Sequence, residues 1–270
     1  MAQTTDTPGA GLAAVFQPNR VVSANTVRLL IAAQAGAALA FWWSTPFEVL
    51  PNPLEVLAAI RSLWFDQGLG AELITSFGVN LQALGLTLAI SLALSYLTVV
   101  PFFRPLAAAV AKGRFLSLVG LTFVFTLILG GGRPLKVSLL VFGMTVFYVT
   151  SMIDVVAQIP KDQFDHARTL RMGEWRVVFE VVVLGTADKA IDILRQNAAI
   201  GWMMLTMVEG IARSEGGVGA MLLNQSKHFR LADVFGIQLV ILFVGILQDY
   251  AIGALKQVVC PYSHLTLERR

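Results

Sequence analysis

Two acidic residues, Glu209 and Asp249, interrupt the last two long apolar stretches of the sequence. A carboxylate is costly to place among apolar side chains, so each is a candidate ion or proton site, or a carboxylate that pairs or snorkels near an interface. Five amides in similar stretches could line a polar path or, more simply, join helices by hydrogen bonds: Asn80, Gln82, Asn197, Gln238 and Gln248. Glu209, Asn80, Gln82 and Asn197 are the candidates for lining a translocation path.

The sequence has none of the common motifs of catalysis or nucleotide binding. It contains no Gly-x-x-x-x-Gly-Lys-Ser/Thr phosphate loop, no Gly-x-Ser-x-Gly elbow and no His-Glu-x-x-His pair. Its three histidines are scattered, and the single Cys260 excludes an internal disulfide and a multi-cysteine metal site. We therefore expect no cofactor and no metal. An intramembrane enzyme is the least supported class, because no nucleophile–base pair stands out.

Charge is concentrated in residues 154–195, which hold 13 of the 37 Asp, Glu, Lys and Arg residues in 42 positions. We call this segment the polar island. Pro160 ends the preceding helix, and Asp162 precedes a helical run that contains Phe164, Ala167 and Leu170. Gly173 permits a turn, after which Trp175, Val178 and Val182 resume at helical spacing. The pattern predicts a helix–turn–helix that lies against the membrane, rather than a plain solvated loop.

The elements that carry these residues follow from composition. The 270 residues are 56% hydrophobic and 14% charged, whereas soluble domains carry about 25% charged residues. This predicts an all-α integral membrane protein, because open strands cannot cross lipid and no barrel-like alternation occurs. The net charge of +3 indicates nucleic-acid binding only weakly, since retained cytoplasmic loops explain excess Lys and Arg.

Six spanning helices are expected, each of about 20 mostly apolar residues. The expected ranges are 29–47, 80–100, 115–132, 137–153, 197–211 and 234–255. They belong to one transmembrane domain, 27–258, between a tail of residues 1–26 and a tail of residues 259–270. Residues 1–19 lack Lys and Arg, so no cleaved signal is expected. The segments on the side of the N-terminus hold 14 of the 20 Lys and Arg residues, which places both termini and the polar island in the cytoplasm.

A short helix is expected between the first two spans. Asn52 and Pro53 suit an N-cap followed by the first helical position. Apolar residues then repeat at helical spacing from Leu54 to Trp64. This predicts an amphipathic helix at the outer interface. The three glycines at 130–132 suit a loop bend at the end of the third span better than a phosphate cradle.

Residues 165–170, Asp165-His166-Ala167-Arg168-Thr169-Leu170, resemble the Glu-Ala-Ala motif of ABC-importer membrane subunits, the binding-protein-dependent permease family. Other pieces resemble the nitrate, sulfonate and taurine branch of that family: Leu50-Pro51-Asn52-Pro53, Ile159-Pro160-Lys161, Glu209 with Gly217-Val218-Gly219, and the stretch from Val234 to Asp249. Their order and spacing together make the resemblance specific over most of the chain.

The resemblance implies one half of a transporter in the bacterial inner membrane. Two such permease subunits, alike or different, would surround a path for a small anion such as nitrate, a sulfonate or taurine. A periplasmic or lipid-anchored binding protein would deliver the substrate, and two separate ATPase subunits would bind at the cytoplasmic side. The resemblance places ATPase coupling on Asp165, His166, Ala167, Arg168, Thr169, Leu170, Arg171 and Gly173.

The chain departs from the family pattern at three positions of the motif. Asp165 replaces Glu, His166 replaces the first Ala, and Arg171 stands where the family has Gly. Gly173 is a candidate to take over the turn, and Arg171 would be strained only if its position requires a positive φ. An altered ATPase groove, a heteromeric pore and weakened coupling are the open explanations.

The alternative function is an ion-coupled secondary carrier without an ATPase, with Glu209 or Asp249 as its ion site. Such carriers often show inverted repeats or broken helices, and no convincing internal repeat is present. Co-purification with a phosphate-loop ATPase would distinguish the two functions.

Overall fold

The computed structural model describes residues 23–44, 49–212 and 215–261, and every regular element in these ranges is helical. The helices are α1 (Ala24–Trp43), α2 (Pro53–Phe65), α3 (Leu69–Leu97), α4 (Arg104–Lys112), α5 (Leu118–Leu129), α6 (Arg133–Ala157), α7 (Lys161–Thr169), α8 (Glu174–Val177), α9 (Ala187–Ile211), α10 (Val218–Lys227) and α11 (Leu231–Val259). Short 3₁₀ turns flank α4 at Pro101–Phe103 and Gly113–Phe115, and a π-helical stretch, Val178–Leu184, follows α8. The all-helical fold class is confirmed for this part of the chain.

Four of the described helices are long and apolar enough to cross a membrane: α1, α3, α6 and α11. A fifth span results if Pro101–Phe115 and Leu118–Leu129, which meet at 113°, count as one bent segment. The chain is therefore an all-helical protein whose long apolar helices suit a membrane. The count of six spans stays a prediction.

The predicted spans and the observed helices differ most at the third and fifth positions. Helix α5 has 12 residues and is about 18 Å long, well short of the roughly 30 Å apolar core of a bilayer. It ends where Gly130 and Gly132 adopt φ of +75° and +83°, so the predicted loop bend is present. Helix α9 has 25 residues, but its first turns carry charge. The end of the first predicted span, 45–47, lies outside the described residues.

The short helix after the first span begins at Pro53, as predicted. The amide of Val56 donates to the carbonyl of Asn52, and the Asn52 amide donates to the Glu55 carboxylate at 3.0 Å. The first is the opening i→i−4 bond of the helix, and the second satisfies the Asn52 amide, which the start of the helix leaves free. The boundary between the two compact units of the chain falls after Leu57, inside this helix.

The core of the larger unit lies between α3, α6 and α9, with α10 and α11 packed on α9. Its fully buried side chains include Leu139 and Tyr148 of α6 and Leu205 of α9. In the smaller unit, by contrast, none of the residues of α1 is buried.

The stretch that connects α6 to α9 is shorter than the polar island. Helix α6 continues to Ala157 and α9 begins at Ala187, so both ends of 154–195 are extensions of long helices. Residues 158–186 alone join the two core helices. We call them the connecting segment; they contain α7, α8 and the π-helical stretch.

Candidate functional site

The connecting segment forms two short helices at the predicted places. Pro160 occupies the N-cap position of α7, which begins at Lys161 rather than after Asp162. Five motif residues lie on α7, and Ala167 is the buried one among them, while its neighbours are exposed: Asp165, His166, Ala167, Arg168 and Thr169. The exposed face of α7 is thus available to another molecule.

An ion pair closes the turn between α7 and α8. The Arg168 guanidinium donates to both carboxylate oxygens of Glu174, at 3.1 and 3.2 Å, and more weakly to Asp165 at 3.4 Å. These bonds raise the pKa of Arg168 and lower the pKa of Glu174. The bidentate geometry fixes the orientation of the two helices, although both side chains are solvent-exposed.

Arg171 lies in the left-handed region of backbone conformation, with φ +56°. The position where the family has Gly therefore does require a positive φ, and Arg171 is strained there. Gly173 does not take over the turn, because its φ of −66° is one that any residue adopts. Arg171 ends α7 by donating its amide to the carbonyl of Arg168.

The apolar side chains of the connecting segment are divided between the core and the surface. Val177 and Val182 are buried, whereas Leu170, Trp175 and Phe179 are 60%, 73% and 53% exposed. The predicted spacing of an apolar face is present, but its largest member, Trp175, points away from the described chain. These exposed apolar residues need a partner or lipid to cover them.

Glu209 is fully buried and does not line an open path. The Ser76 hydroxyl lies 2.8 and 2.9 Å from its two oxygens, and the Gly219 amide donates to it at 2.9 Å. The Val218 amide in turn donates to Ser76 at 2.8 Å. The carboxylate thus binds the Gly219 amide of α10 directly and the Val218 amide through Ser76, at the positive end of the helix dipole.

Two further charged side chains hold the same turn. The Gly217 amide donates to the Glu72 carboxylate. Lys136, which is 1% exposed, donates to the carbonyl of Gly216 at 2.7 Å. We call Glu72, Ser76, Lys136 and Glu209 the turn clamp, because these side chains of α3, α6 and α9 together hold Gly216–Gly219.

The glycines of this turn are required by the close approach of the clamp. Gly217 has φ +107°, and a Cβ there would meet the Glu209 carboxyl group. A Cβ on Gly219 would lie 2.7 Å from Cα of Thr206 on α9. The Gly-Val-Gly sequence therefore lets α10 fold back directly onto α9.

Sequence reasoning missed three of the four residues of the clamp. Glu72 and Ser76 are four residues apart and share one face of α3 with Asn80, so helical spacing offered a signal. Nothing in the sequence indicates that Lys136, at the start of an apolar helix, donates to a carbonyl of a loop 80 residues further along.

Asn80 makes a hydrogen bond between helices. Its amide nitrogen donates to the Gln248 side-chain oxygen at 3.2 Å, and the Trp202 indole donates to the same oxygen at 2.7 Å. All three side chains are buried, and they come from α3, α9 and α11. The helix-joining role is therefore the one that the geometry favours for both amides.

The other two path candidates have different hydrogen-bond partners. Asn197 donates to the carbonyl of Ile193 within its own helix at 3.0 Å. Gln82 accepts from Arg133 at 3.1 Å on the exposed side of α3. Ser76, which binds Glu209, lies one turn of α3 from Asn80, and Asn197 lies one turn of α9 from Gly201, beside which the Asn80 side-chain oxygen lies. Gln82, by contrast, lies on the exposed side of α3.

Asp249 makes a bidentate ion pair with Arg195, which joins α11 to α9. Lys256 and Asp192 form a second pair between the same helices at 2.6 Å. The ion pair of Asp249 with Arg195 agrees with the pairing that we considered for Asp249 from the sequence. In the described part of the chain, no group of three or more His, Cys, Asp or Glu residues could hold a metal ion.

Comparison with known proteins adds no relative. Neither a scan against protein-family models nor a search of curated proteins finds a match for this chain.

Proposed function

We propose that the chain is the membrane-spanning permease subunit of an ABC importer. The observation that carries the proposal is the connecting segment: a short exposed helix, α7, bearing the motif-like residues 165–170, held to α8 by Arg168 and Glu174. Its exposed face and exposed Leu170 suit docking into a groove of an ATPase subunit.

The connecting segment is placed to transmit movement into the core. Helix α7 follows α6 after three residues, and the π-helical stretch leads through Gly185 and Thr186 into α9. Both α6 and α9 are core helices. A displacement of α7 by ATPase closure would therefore act on the two helices that organise the membrane domain and bias its outward and inward states.

The remaining parts of the proposal come from the sequence: the resemblance supplies the partners and the solute, the lack of catalytic motifs the non-catalytic role, and the Lys and Arg counts the orientation. A second permease subunit completes the path, a binding protein delivers a small anionic solute, and the chain itself has no catalytic role. Both termini and the connecting segment lie in the cytoplasm. The large exposed apolar surfaces of α1 and α5 are consistent with contact to lipid and a second subunit.

The test is co-purification with the ATPase, using exposed residues so that folding is unaffected. Asp165→Lys and Leu170→Asp are expected to abolish ATPase retention and ATP-driven transport. Asp66→Lys, a matched charge reversal at an exposed residue after α2, should leave both intact.

Unchanged ATPase retention in both motif variants would overturn the assignment of residues 165–173. Transport that survives ATP depletion and collapses with an ion gradient would favour the secondary carrier instead.

A further inference from the structure

A cavity of about 730 Å³ lies between α4, the ends of α3 and α6, and α7. Most of its wall is apolar, formed by Val99, Ala108, Ala111, Ile153, Val156 and Ala157. Phe164 of α7 contributes an aromatic side chain to the lining. The size is within the range of small-molecule sites, roughly 300 to 1,000 Å³.

Three cationic residues line this apolar cavity: Arg104, Lys112 and Arg114. Among the described residues, no carboxylate lies within 4.0 Å of their charged groups. Arg104 uses one N–H to bind the carbonyl of Thr98 at 3.0 Å, and Arg114 lies 5.1 Å from the centre of the Phe115 ring. Asp154 also lines the cavity, so positive charge exceeds negative charge there.

If α3 and α6 cross a bilayer, as their length and composition allow, the cavity lies at the depth of the lipid headgroups. Helices α3 and α6 have 29 and 25 residues, about 43 and 37 Å, so their ends extend beyond the roughly 30 Å apolar core. The segment around α4 also exposes Phe102, Leu106 and Phe115. Cations beside exposed aromatic and aliphatic side chains are typical of a segment that lies in the interface.

We propose that this cavity binds an anionic phospholipid. The phosphate lies against Arg104, Lys112 and Arg114, and the first methylenes of the acyl chains lie against the alanine and valine wall. A free oxyanion gains nothing from the apolar wall, and a zwitterionic headgroup brings no net charge to the unpaired cations. The proposal requires a membrane but does not depend on the importer function.

A lipid in this cavity would affect the position of α7. It contacts α4, which joins two apolar helices, and Phe164 of α7 in the connecting segment. A bound lipid therefore fills the space between α7 and the membrane domain and fixes the height of α7 relative to the bilayer.

The test is native mass spectrometry of the full chain released from nanodiscs that contain phosphatidylglycerol and phosphatidylcholine. The wild type should retain phosphatidylglycerol selectively. The variant Arg104→Gln/Lys112→Gln/Arg114→Gln should bind it about a hundredfold more weakly, because three basic residues near a membrane surface contribute about 1 kcal/mol each. The variant Ala108→Trp keeps all three charges, fills the cavity from an exposed position, and should also lose the lipid.

The matched control is Lys161→Gln/Arg176→Gln/Lys189→Gln, which removes three exposed charges from the polar island without changing the lining of the cavity. It should retain phosphatidylglycerol as the wild type does. The proposal would be overturned if both triple variants lost phosphatidylglycerol to the same extent, or if Ala108→Trp retained it fully.

Two other occupants give distinct results. Displacement of the lipid by millimolar inorganic phosphate would show a free-oxyanion site and refute the lipid. If Arg104→Gln/Lys112→Gln/Arg114→Gln bound as much phosphatidylglycerol as the wild type but no longer co-purified with the ATPase, the cavity would be a protein docking surface instead.

Discussion

At the scale of single residues, Arg171 stands where the similar permease motif has Gly, and its backbone conformation is strained. Its φ of +56° is a conformation that costs an L-residue about 1–2 kcal/mol relative to the right-handed helix. Glycine adopts it freely but loses more chain entropy on folding.

We predict that Arg171→Gly raises the free energy of unfolding by up to about 1 kcal/mol. The control is Gly173→Ala, which changes a glycine at an ordinary φ in the N-cap position of α8 and should bring no gain in stability. Chemical unfolding in detergent, followed by circular dichroism, measures both. A less stable Arg171→Gly variant would show that the Arg171 side chain contributes a contact larger than the strain.

Glu209 illustrates how burial changes the interpretation of a residue. In the sequence it is an acid inside an apolar stretch; in the structure it accepts hydrogen bonds from Ser76 and Gly219. Removing one partner of a buried charged group leaves the others without a bond.

We predict that Glu209→Ala lowers the free energy of unfolding by about 1–3 kcal/mol for each of the two donors, Ser76 and Gly219, that it leaves without a partner, and that Glu209→Gln, which keeps an acceptor, costs less. The exposed Gln82→Ala is the control and should change stability little. Double-mutant cycles with Ser76→Ala should show non-additive losses. If Glu209→Gln were fully stable yet lost ion-coupled transport, the carrier would be the better function.

At the scale of elements, the packing of α10 on α9 depends on the absence of a side chain at Gly219. A Cβ at this position would overlap the backbone of Thr206, which cannot move aside as a flexible side chain can. The helix also depends on the turn clamp for its first amides.

We predict that Gly219→Ala displaces α10 and destabilises the protein by about 1–3 kcal/mol, the usual cost of overpacking. Gly120→Ala in α5, where a Cβ would meet nothing within 4 Å, should instead be neutral or stabilising by about 0.5–1 kcal/mol. Hydrogen exchange of residues 218–227 measures the effect locally. Normal protection of α10 in Gly219→Ala would contradict the packing described here.

The turn between α7 and α8 depends on pH through one ion pair. Arg168 lowers the pKa of Glu174, so the pair stabilises the turn above the ordinary glutamate pKa of about 4.3. Its contribution is lost as the pH falls through the lowered pKa of the folded state.

We predict that the fluorescence of Trp175, next to Glu174, changes with a midpoint below about 4.3. In Arg168→Gln the midpoint should move up to the ordinary glutamate value. Because Trp175 is not the only tryptophan, Trp175→Phe supplies the background to subtract. The same midpoint with and without Arg168 would show that the ion pair does not form in solution.

At the scale of the whole molecule, the connecting segment and α10 lie at opposite ends of α9. The segment precedes Ala187, and α10 follows Ile211, about 37 Å further along a helix of 25 residues. If α9 crosses the bilayer, the two ends face different compartments.

We predict that, in a background with Cys260→Ser, Asp165→Cys is protected from an impermeant thiol reagent in intact cells, whereas Lys227→Cys reacts. Both positions are exposed in the structure. Permeabilised cells, in which both cysteines should react, provide the control. Labelling of Asp165→Cys from outside would reverse the proposed orientation.

Sequence patterns predicted the helical class, the start of α2 at Pro53, the bend at residues 130–132 and the two short helices of the connecting segment. These features follow from composition, prolines, glycines and helical spacing, all of which act locally. The length of α5 and the extensions of α6 and α9 into the polar island were not predicted, because apolar runs do not mark helix ends.

The partners of the buried polar residues, by contrast, appear only in the tertiary structure. Whether Asn80 lines a path or binds Gln248, and whether Glu209 is an ion site or holds a turn, depends on side chains 168 and 133 positions away in the sequence. A buried polar group is defined by its hydrogen-bond partners, and such partners meet only when the helices pack. The lipid cavity likewise exists because α4, α6 and α7 enclose a space that none of these helices forms alone.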